Sequence, residues 1–231
     1  MNVETDFLRI LRSTFLGYKW SLKVLIETMN NKFSTIILAA GLSTRMGIPK
    51  RGLIINGHEN FLSFLVRSHR ELSAKEIFVV GNFTPEEFHD MQEVLTLDDF
   101  TYVHNPEPQK GRFLSIKLGL EAAGDSCPVF LHNVDNPCFN SFLMQEMLNR
   151  AAGYDCVVPI HKGKGGHPVL AMPALIPKII NQTQSDLPLN KILNKSKRLL
   201  VETNWPGIHV NINTGNDYIE FLKNVARFNI N

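Results

Sequence analysis

Residues 35–50 read TIILAAGLSTRMGIPK, an apolar run that breaks off into a short loop holding two glycines, two hydroxyls and two cations. Thr35, Ile36 and Ile37 favour a strand, and a short unbroken apolar run suits one buried on both faces. In the loop, Gly41 and Gly47 permit tight turns that bring backbone N–H groups close to a ligand. Arg45 offers a planar fork suited to phosphate oxygens, and Lys50 a mobile point charge. Ser43 and Thr44 add neutral hydrogen-bonding groups. A turn alone needs only the glycines, so the cations point to a bound anion; the alternative is a glycine turn whose cations are simply solvated. Neither GxGxxG nor GxxxxGK[ST] is present, which supports neither a dinucleotide fingerprint nor the usual NTPase phosphate loop.

Downstream, strand-like and helix-like patterns alternate. ENFLSFLVRSHREL places Phe61, Leu62, Leu65 and Val66 at helical spacing, EIFVVG reads as a second buried strand, and TPEEFHDMQEVL starts a helix with Thr84 as N-cap and Pro85 at its first position. FTYVHN and CPVFLHNVD are the next strands, each followed by a helix, RFLSIKLGLEAAG and CFNSFLMQEMLNRAAG. DCVVPI and HPVLAM read as strands joined by the turn KGKGG. ALIPKIINQ and LPLNKILNK read as short helices, RLLVET and IHVNIN as strands, and NDYIEFLKNVARF as the last helix. Repeated units of this length predict an α/β fold, a doubly wound, mostly parallel sheet covered by helices on both faces. Ligands in such sheets bind beyond the carboxyl ends of the strands. The loop after Ala40, Asp135 after the fourth strand, and Asn211–Asn213 near the end all fall there.

Composition narrows the setting. A chain of 231 residues suits one large domain. A formal net charge of +2 is too balanced for broad nucleic-acid binding, so a basic site must be local. Cys127, Cys138 and Cys156 show no CxxC spacing, and an odd count argues against a disulfide framework and for a reducing, cytoplasmic setting. They read as small buried hydrophobes.

Residues 1–30 stand apart as an amphipathic helical extension to a domain over residues 31–231. Arg9, Arg12, Lys19 and Lys23 interrupt every apolar run before it is long enough to cross a bilayer, and the order of a signal peptide is missing. Leu8, Leu11, Phe15, Tyr18, Leu22, Leu25 and Met29 step by three and four along one helix face. That stripe suits docking or a homodimer through this helix. Equally, it suits an upstream extension packed loosely on the domain.

LAAGLSTRMGIPK resembles the signature loop LAAGxSxRMGxPK of the MobA-like nucleotidyltransferases, and within them the molybdenum-cofactor cytidylyltransferases most closely. The resemblance extends over most of residues 34–225 and implies transfer of a nucleoside monophosphate from a nucleoside triphosphate, CTP before GTP, with release of pyrophosphate. It implies that Ala39, Ala40, Gly41, Arg45 and Lys50 hold the nucleotide, the two cations neutralising its triphosphate. HNPEPQKGRFLSIKLGL is similar to the family's NPxxxxGxxSSLxxGL segment, which lies near the base. Ser115 is in register there, while Leu114 stands where the first of the paired serines is common. FLHNVDNP resembles the strand that ends in a metal-binding aspartate, matched by Asp135. A hard oxygen ligand suits Mg²⁺, with Mn²⁺ as a substitute; an aspartate in this place also suits a helix cap.

GKGGHPVLA is similar to the family's RGHPVLF segment, with Lys164 one place from the usual basic residue, which puts His167 on the acceptor side; a lone histidine also suits a purely structural role. VNINTGNDY is similar to the terminal strand, where Asn213 matches a second metal ligand with Asn211 beside it. Gly215 and Asn216 replace the usual proline and glutamate, and neutral asparagines stand where the cytidylyltransferases commonly have aspartates. The implied acceptor is a phosphorylated small molecule, molybdopterin first. A sugar-phosphate or alcohol-phosphate acceptor is the alternative, and a degenerate nucleotide-binding regulatory module the rival from another class. Neither nucleic acid nor membrane is implied as a partner.

Overall fold

The computed structural model describes residues 32–57, 59–94, 99–183 and 188–228, the side chains of residues 90–94 excepted. The expected helix over residues 1–30 and the dimer through it lie outside the described residues. Eight strands form one sheet: β1 (Ser34–Leu38), β2 (Glu76–Gly81), β3 (Thr101–His104), β4 (Val129–Asn133), β5 (Cys156–His161), β6 (Lys164–Gly165), β7 (Val169–Ala171) and β8 (Arg198–Glu202). Their order is β3-β2-β1-β4-β7-β5, with the short β6 and the parallel β8 on opposite edges of β5. The β1–β2, β1–β4 and β2–β3 pairs are parallel, as expected. β7, which the apolar run HPVLAM announces, inserts antiparallel between β4 and β5.

The helices are α1 (Phe61–Glu71), α2 (Pro85–Val94), α3 (Arg112–Ala123), α4 (Ser141–Arg150), α5 (Ile176–Ile180), α6 (Leu189–Asn194) and α7 (Gly215–Lys223). β1 shows why both sheet faces need cover. Ile37 packs into one core with Phe61 and Leu65 of α1, Met144 of α4 and Phe221 of α7. Its neighbour Ile36 packs into the opposite core with Ile116 and Leu120 of α3 and Ile179 of α5. Successive strand side chains point to opposite faces, and full burial of each isoleucine contributes about 1.5–3 kcal/mol. Gly119 sets how closely α3 can lie on β1: a Cβ there would meet Ile36 Cγ2 at 2.7 Å. α1 starts where Asn60 and Ser63 close a reciprocal capping box. All three cysteines are buried and free, as expected.

One expected strand does not form. IHVNIN carries a two-residue alternation, but Pro206–His209 is a 3₁₀ turn and residues 210–213 join no ladder. The Ile212 N–H donates instead to the Asp135 carbonyl at 2.8 Å, which lashes this segment to the loop after β4. Asn213 therefore reaches the site from a tethered loop and not from a strand end.

Two histidines are buried in the core, His69 on α1 and His132 on β4. Burial, with His132 beside it, holds the His69 pKa well below the usual imidazole range; burial pushes His132 down to about 4 against the opposing pull of Asn136. His69, His167 and Asp135 are the titratable groups acting on His132. Below pH ~6.5 the unfolded chain takes up protons that the folded core refuses. Unfolding free energy is thus expected to fall from pH ~6.5 towards 4, by roughly 3 kcal/mol for His132 alone. Urea titrations at stepped pH on wild type and a His132→Gln variant check this, the variant losing much of the slope.

Candidate active site

The loop after β1 leaves the sheet through buried Ala39 and Ala40, and the Ala39 N–H donates to Val80 O at 2.8 Å. Ser43 turns the chain with a positive φ of 50° and Gly47 with 74°. The Ser43 hydroxyl donates to Gly41 O at 3.4 Å and accepts from Lys50 N at 3.3 Å. Ser43 thus fastens the two ends of the loop together, and Lys50 is presented from the far end.

Lys50 Nζ donates to Asp135 Oδ2 at 3.2 Å and to Asn213 Oδ1 at 2.7 Å. Arg45 Nη2 donates to the same Asn213 oxygen at 3.2 Å. With its amide nitrogen turned to the carboxylate, Asn211 donates to Asp135 Oδ2 at 2.9 Å. Lys50, Arg45 and Asn211 therefore converge on Asp135 and Asn213, whose side-chain oxygens are the hard donors of the site. Among the described residues no three acidic, histidine or cysteine side chains form a metal cage. The donor set suits a cation that completes its shell with waters and phosphate oxygens, as Mg²⁺ does. The Lys50 ammonium lies against both oxygens, so the spot accepts positive charge.

Asn213 is fixed by its neighbours. Asp217 accepts from the N–H groups of Asn213 and Thr214, each at 2.9 Å, and Thr214 caps α7 in return. The Asn213 N–H first, then the Thr214 side chain and its N–H, hold the Asp217 carboxyl below its ordinary pKa. Asp217 is legible in the sequence as a T-x-x-D capping box.

A cavity of about 140 Å³ opens between this cluster and α3, lined by Ala39–Gly41, Lys50, Arg112, Ser115 and Asp135. α3 begins at Gly111, which has a φ of 90° and provides no side-chain cap. The first N–H groups of the helix are left to water or a ligand, a disposition that favours anions. Arg112 at the first helical position opposes the helix dipole, a cost that an anion offsets. Ser115 is buried, and its Oγ accepts from the fully buried Asn105 Nδ2 at 2.9 Å, leaving its own proton to donate.

A second cavity of about 750 Å³ adjoins the first, sharing Leu38, Gly111, Arg112 and Asn133 with it. His167 lines it, with Nε2 at 3.1 Å from Asn133 Nδ2. Burial, and then Arg112, push the His167 pKa down to about 4, so the ring is neutral at physiological pH. Lys110, Arg112 and Arg198 supply positive charge, and none of the described residues lining this cavity is acidic. The structure thus gathers Ala39, Ala40, Gly41, Ser43, Lys50, Ser115 and Asp135 around one cavity, with Asn213 bonded to Lys50, Arg45 bonded to Asn213, and His167 in the next cavity. Lys164 lines neither. The sequence reading missed Arg112 and Asn133; an arginine at the first position of a helix was the available signal for the former.

The model of the MobA-like NTP transferase domain matches residues 35–199. No curated protein matches the sequence. Among solved structures, Rv0371c from Mycobacterium tuberculosis is 17% identical, with a TM-score of 0.70 over 84% of this chain and 98% of its own. That protein is also known as a complex with manganese. The 4-diphosphocytidyl-2C-methyl-D-erythritol synthase of Anaerococcus prevotii is 17% identical, with a TM-score of 0.67 over 87% of this chain and 99% of its own. Molybdopterin-guanine dinucleotide biosynthesis protein A of Archaeoglobus fulgidus is 12% identical, with a TM-score of 0.62 over 84% and 99%. These likenesses agree with the mostly parallel sheet, and no helix among the described residues is long and apolar enough to cross a membrane. With its family model matched over most of its length, the chain belongs to the MobA-like NTP transferase family and is a nucleotidyltransferase.

Proposed function

We propose that residues 31–231 transfer a cytidylyl group from CTP to a phosphorylated small molecule, with residues 1–30 an extension to that unit. The carrying observation is the convergence of Lys50, Arg45, Asp135 and Asn213 on one edge of a cavity whose other wall is the uncapped start of α3. Arg45, Lys50 and the N–H groups of α3 hold the triphosphate, and Ala39–Gly41 let it lie close to the backbone. A divalent cation, Mg²⁺ or Mn²⁺, held by Asp135 and Asn213 would supply charge neutralisation at the α-phosphate. An acceptor phosphate oxygen attacks the α-phosphorus, the bond from α-phosphorus to the bridging oxygen breaks, and pyrophosphate leaves with its electron pair. Positioning and electrostatics supply most of the acceleration in such transfers. No covalent nucleophile is needed, and burial raises the Cys138 and Cys156 thiol pKa values.

Ser115 supports CTP over GTP. Its free proton matches the O2 and N3 acceptors of cytosine, whereas guanine's corresponding edge offers one acceptor, O6, beside the N1–H and N2–H donors. The larger cavity supports the acceptor side: its cations suit a phosphate, and its apolar lining, including Phe113, Ile116 and Leu189, suits a flat body such as a pterin better than a polyol. A sugar-phosphate or alcohol-phosphate acceptor is the second reading, and a cytoplasmic site of action suits either. Pyrophosphate release across the four NTPs with a panel of phosphorylated pterin, sugar and alcohol acceptors tests this. CTP with the pterin arm is expected to turn over fastest. Binding of CTP without turnover, with the true acceptor present, would make the chain a regulatory module.

A further inference from the structure

The two core histidines form a hydrogen-bonded line that ends beside the site. Thr35 Oγ1 lies 2.9 Å from His69 Nδ1, His69 Nε2 lies 3.0 Å from His132 Nδ1, and His132 Nε2 lies 3.0 Å from the Asn136 carbonyl. All three side chains are fully buried. A carbonyl only accepts, so His132 carries its proton on Nε2. A neutral His132 then accepts at Nδ1, which places a proton on His69 Nε2, and His69 in turn accepts from the Thr35 hydroxyl. The line has one direction, from Thr35 to Asn136, and every ring nitrogen along it is used.

Asn136 is held on its other sides too. Its N–H donates to Asn133 O at 3.0 Å. Its side-chain nitrogen donates to Gly207 O at 2.9 Å and also to Val210 O. Asp135 lies immediately before Asn136, and Asn211 and Asn213 lie just beyond Val210. Asn136 is thus the rivet between the two segments that carry the site's hard oxygens. An apolar pair in place of His69 and His132 would fill the core without burying four ring nitrogens, since polar groups are costly to bury unless each is satisfied.

We infer that His132, oriented by His69 and Thr35, is a positioning residue that holds the Asn136 carbonyl and so fixes Asp135 against Asn211 and Asn213. The inference rests on the metal reading of the proposed function. Residues that orient ligands from behind typically change metal affinity by about 10–100-fold when removed. Mn²⁺ binding to the full chain, followed by water-proton relaxation, tests it on wild type, His132→Leu, His132→Gln and Asp135→Asn, each first shown to be folded by circular dichroism. His132→Leu is expected to weaken Mn²⁺ by about tenfold or more. His132→Gln keeps an N–H for the Asn136 carbonyl and is expected to retain most of the affinity, although both variants melt earlier. Wild-type affinity in His132→Leu overturns the inference, as does a glutamine variant no better than the leucine one.

If Asp135→Asn binds Mn²⁺ as wild type does, or wild type shows no relaxation effect, the metal reading itself fails. Loss in Asp135→Asn with none in His132→Leu removes only the positioning role. Should His132→Leu not fold, ring-nitrogen NMR of the wild type decides: both rings neutral with the proton on Nε2 is expected, and a His132 protonated on Nδ1 overturns the line.

Discussion

Asp135→Asn is expected to lower turnover about a thousandfold, the loss of about 4 kcal/mol of transition-state stabilisation. Asparagine keeps the shape and one acceptor oxygen but removes the only carboxylate among the residues that converge on Lys50 Nζ. Asn213 is neutral, so Asp135 carries the protein's negative charge at the cation. CTP affinity should change far less, because Arg45, Lys50 and the N–H groups at the start of α3 remain. Pyrophosphate release under conditions where chemistry limits the rate, with calorimetric CTP binding in parallel, separates the two effects. Near-wild-type turnover would leave Asp135 as a turn residue and move the metal elsewhere.

Lys50→Met should shift two affinities in opposite directions. A charge-assisted contact to phosphate is worth roughly 1.5–3 kcal/mol, so CTP affinity is expected to fall by about ten- to hundredfold. Without nucleotide, the Lys50 ammonium lies against Asp135 Oδ2 and Asn213 Oδ1, the two oxygens a cation would use. Its removal frees them, and Mn²⁺ should bind the nucleotide-free variant more tightly than it binds wild type. Unchanged CTP affinity in calorimetry would make Lys50 no more than the counter-ion of Asp135.

Much of this architecture is legible in the sequence because local patterns and tertiary demands agree. The apolar run at Ile36–Leu38 is buried on both faces, and the spacing of Phe61, Leu62, Leu65 and Val66 delivers α1 with its apolar stripe inward. The loop from Gly41 to Lys50 announces its charges directly. The misread segment shows the limit. Ile208, Val210 and Ile212 alternate with His209, Asn211 and Asn213, a period that a strand and an extended tether share. What decides between them is the partner of the Ile212 N–H, a carbonyl 77 positions away in the chain (212 − 135). The antiparallel setting of β7 is hidden for the same reason, since an apolar run has no direction. His69 and His132, 63 positions apart, meet only through the packing of α1 on the sheet. Single histidines in apolar surroundings carry no sign of a partner.

One cation and a triphosphate are expected to meet between Asp135 and the loop from Gly41 to Lys50. An anomalous difference map from crystals holding Mn²⁺ and a non-hydrolysable CTP analogue tests this most directly. A manganese peak is expected on the Asp135 carboxylate, with the phosphates against Arg45, Lys50 and the first turn of α3, and the cytosine beside Ser115. A manganese peak away from Asp135, or phosphates bound elsewhere, would contradict it.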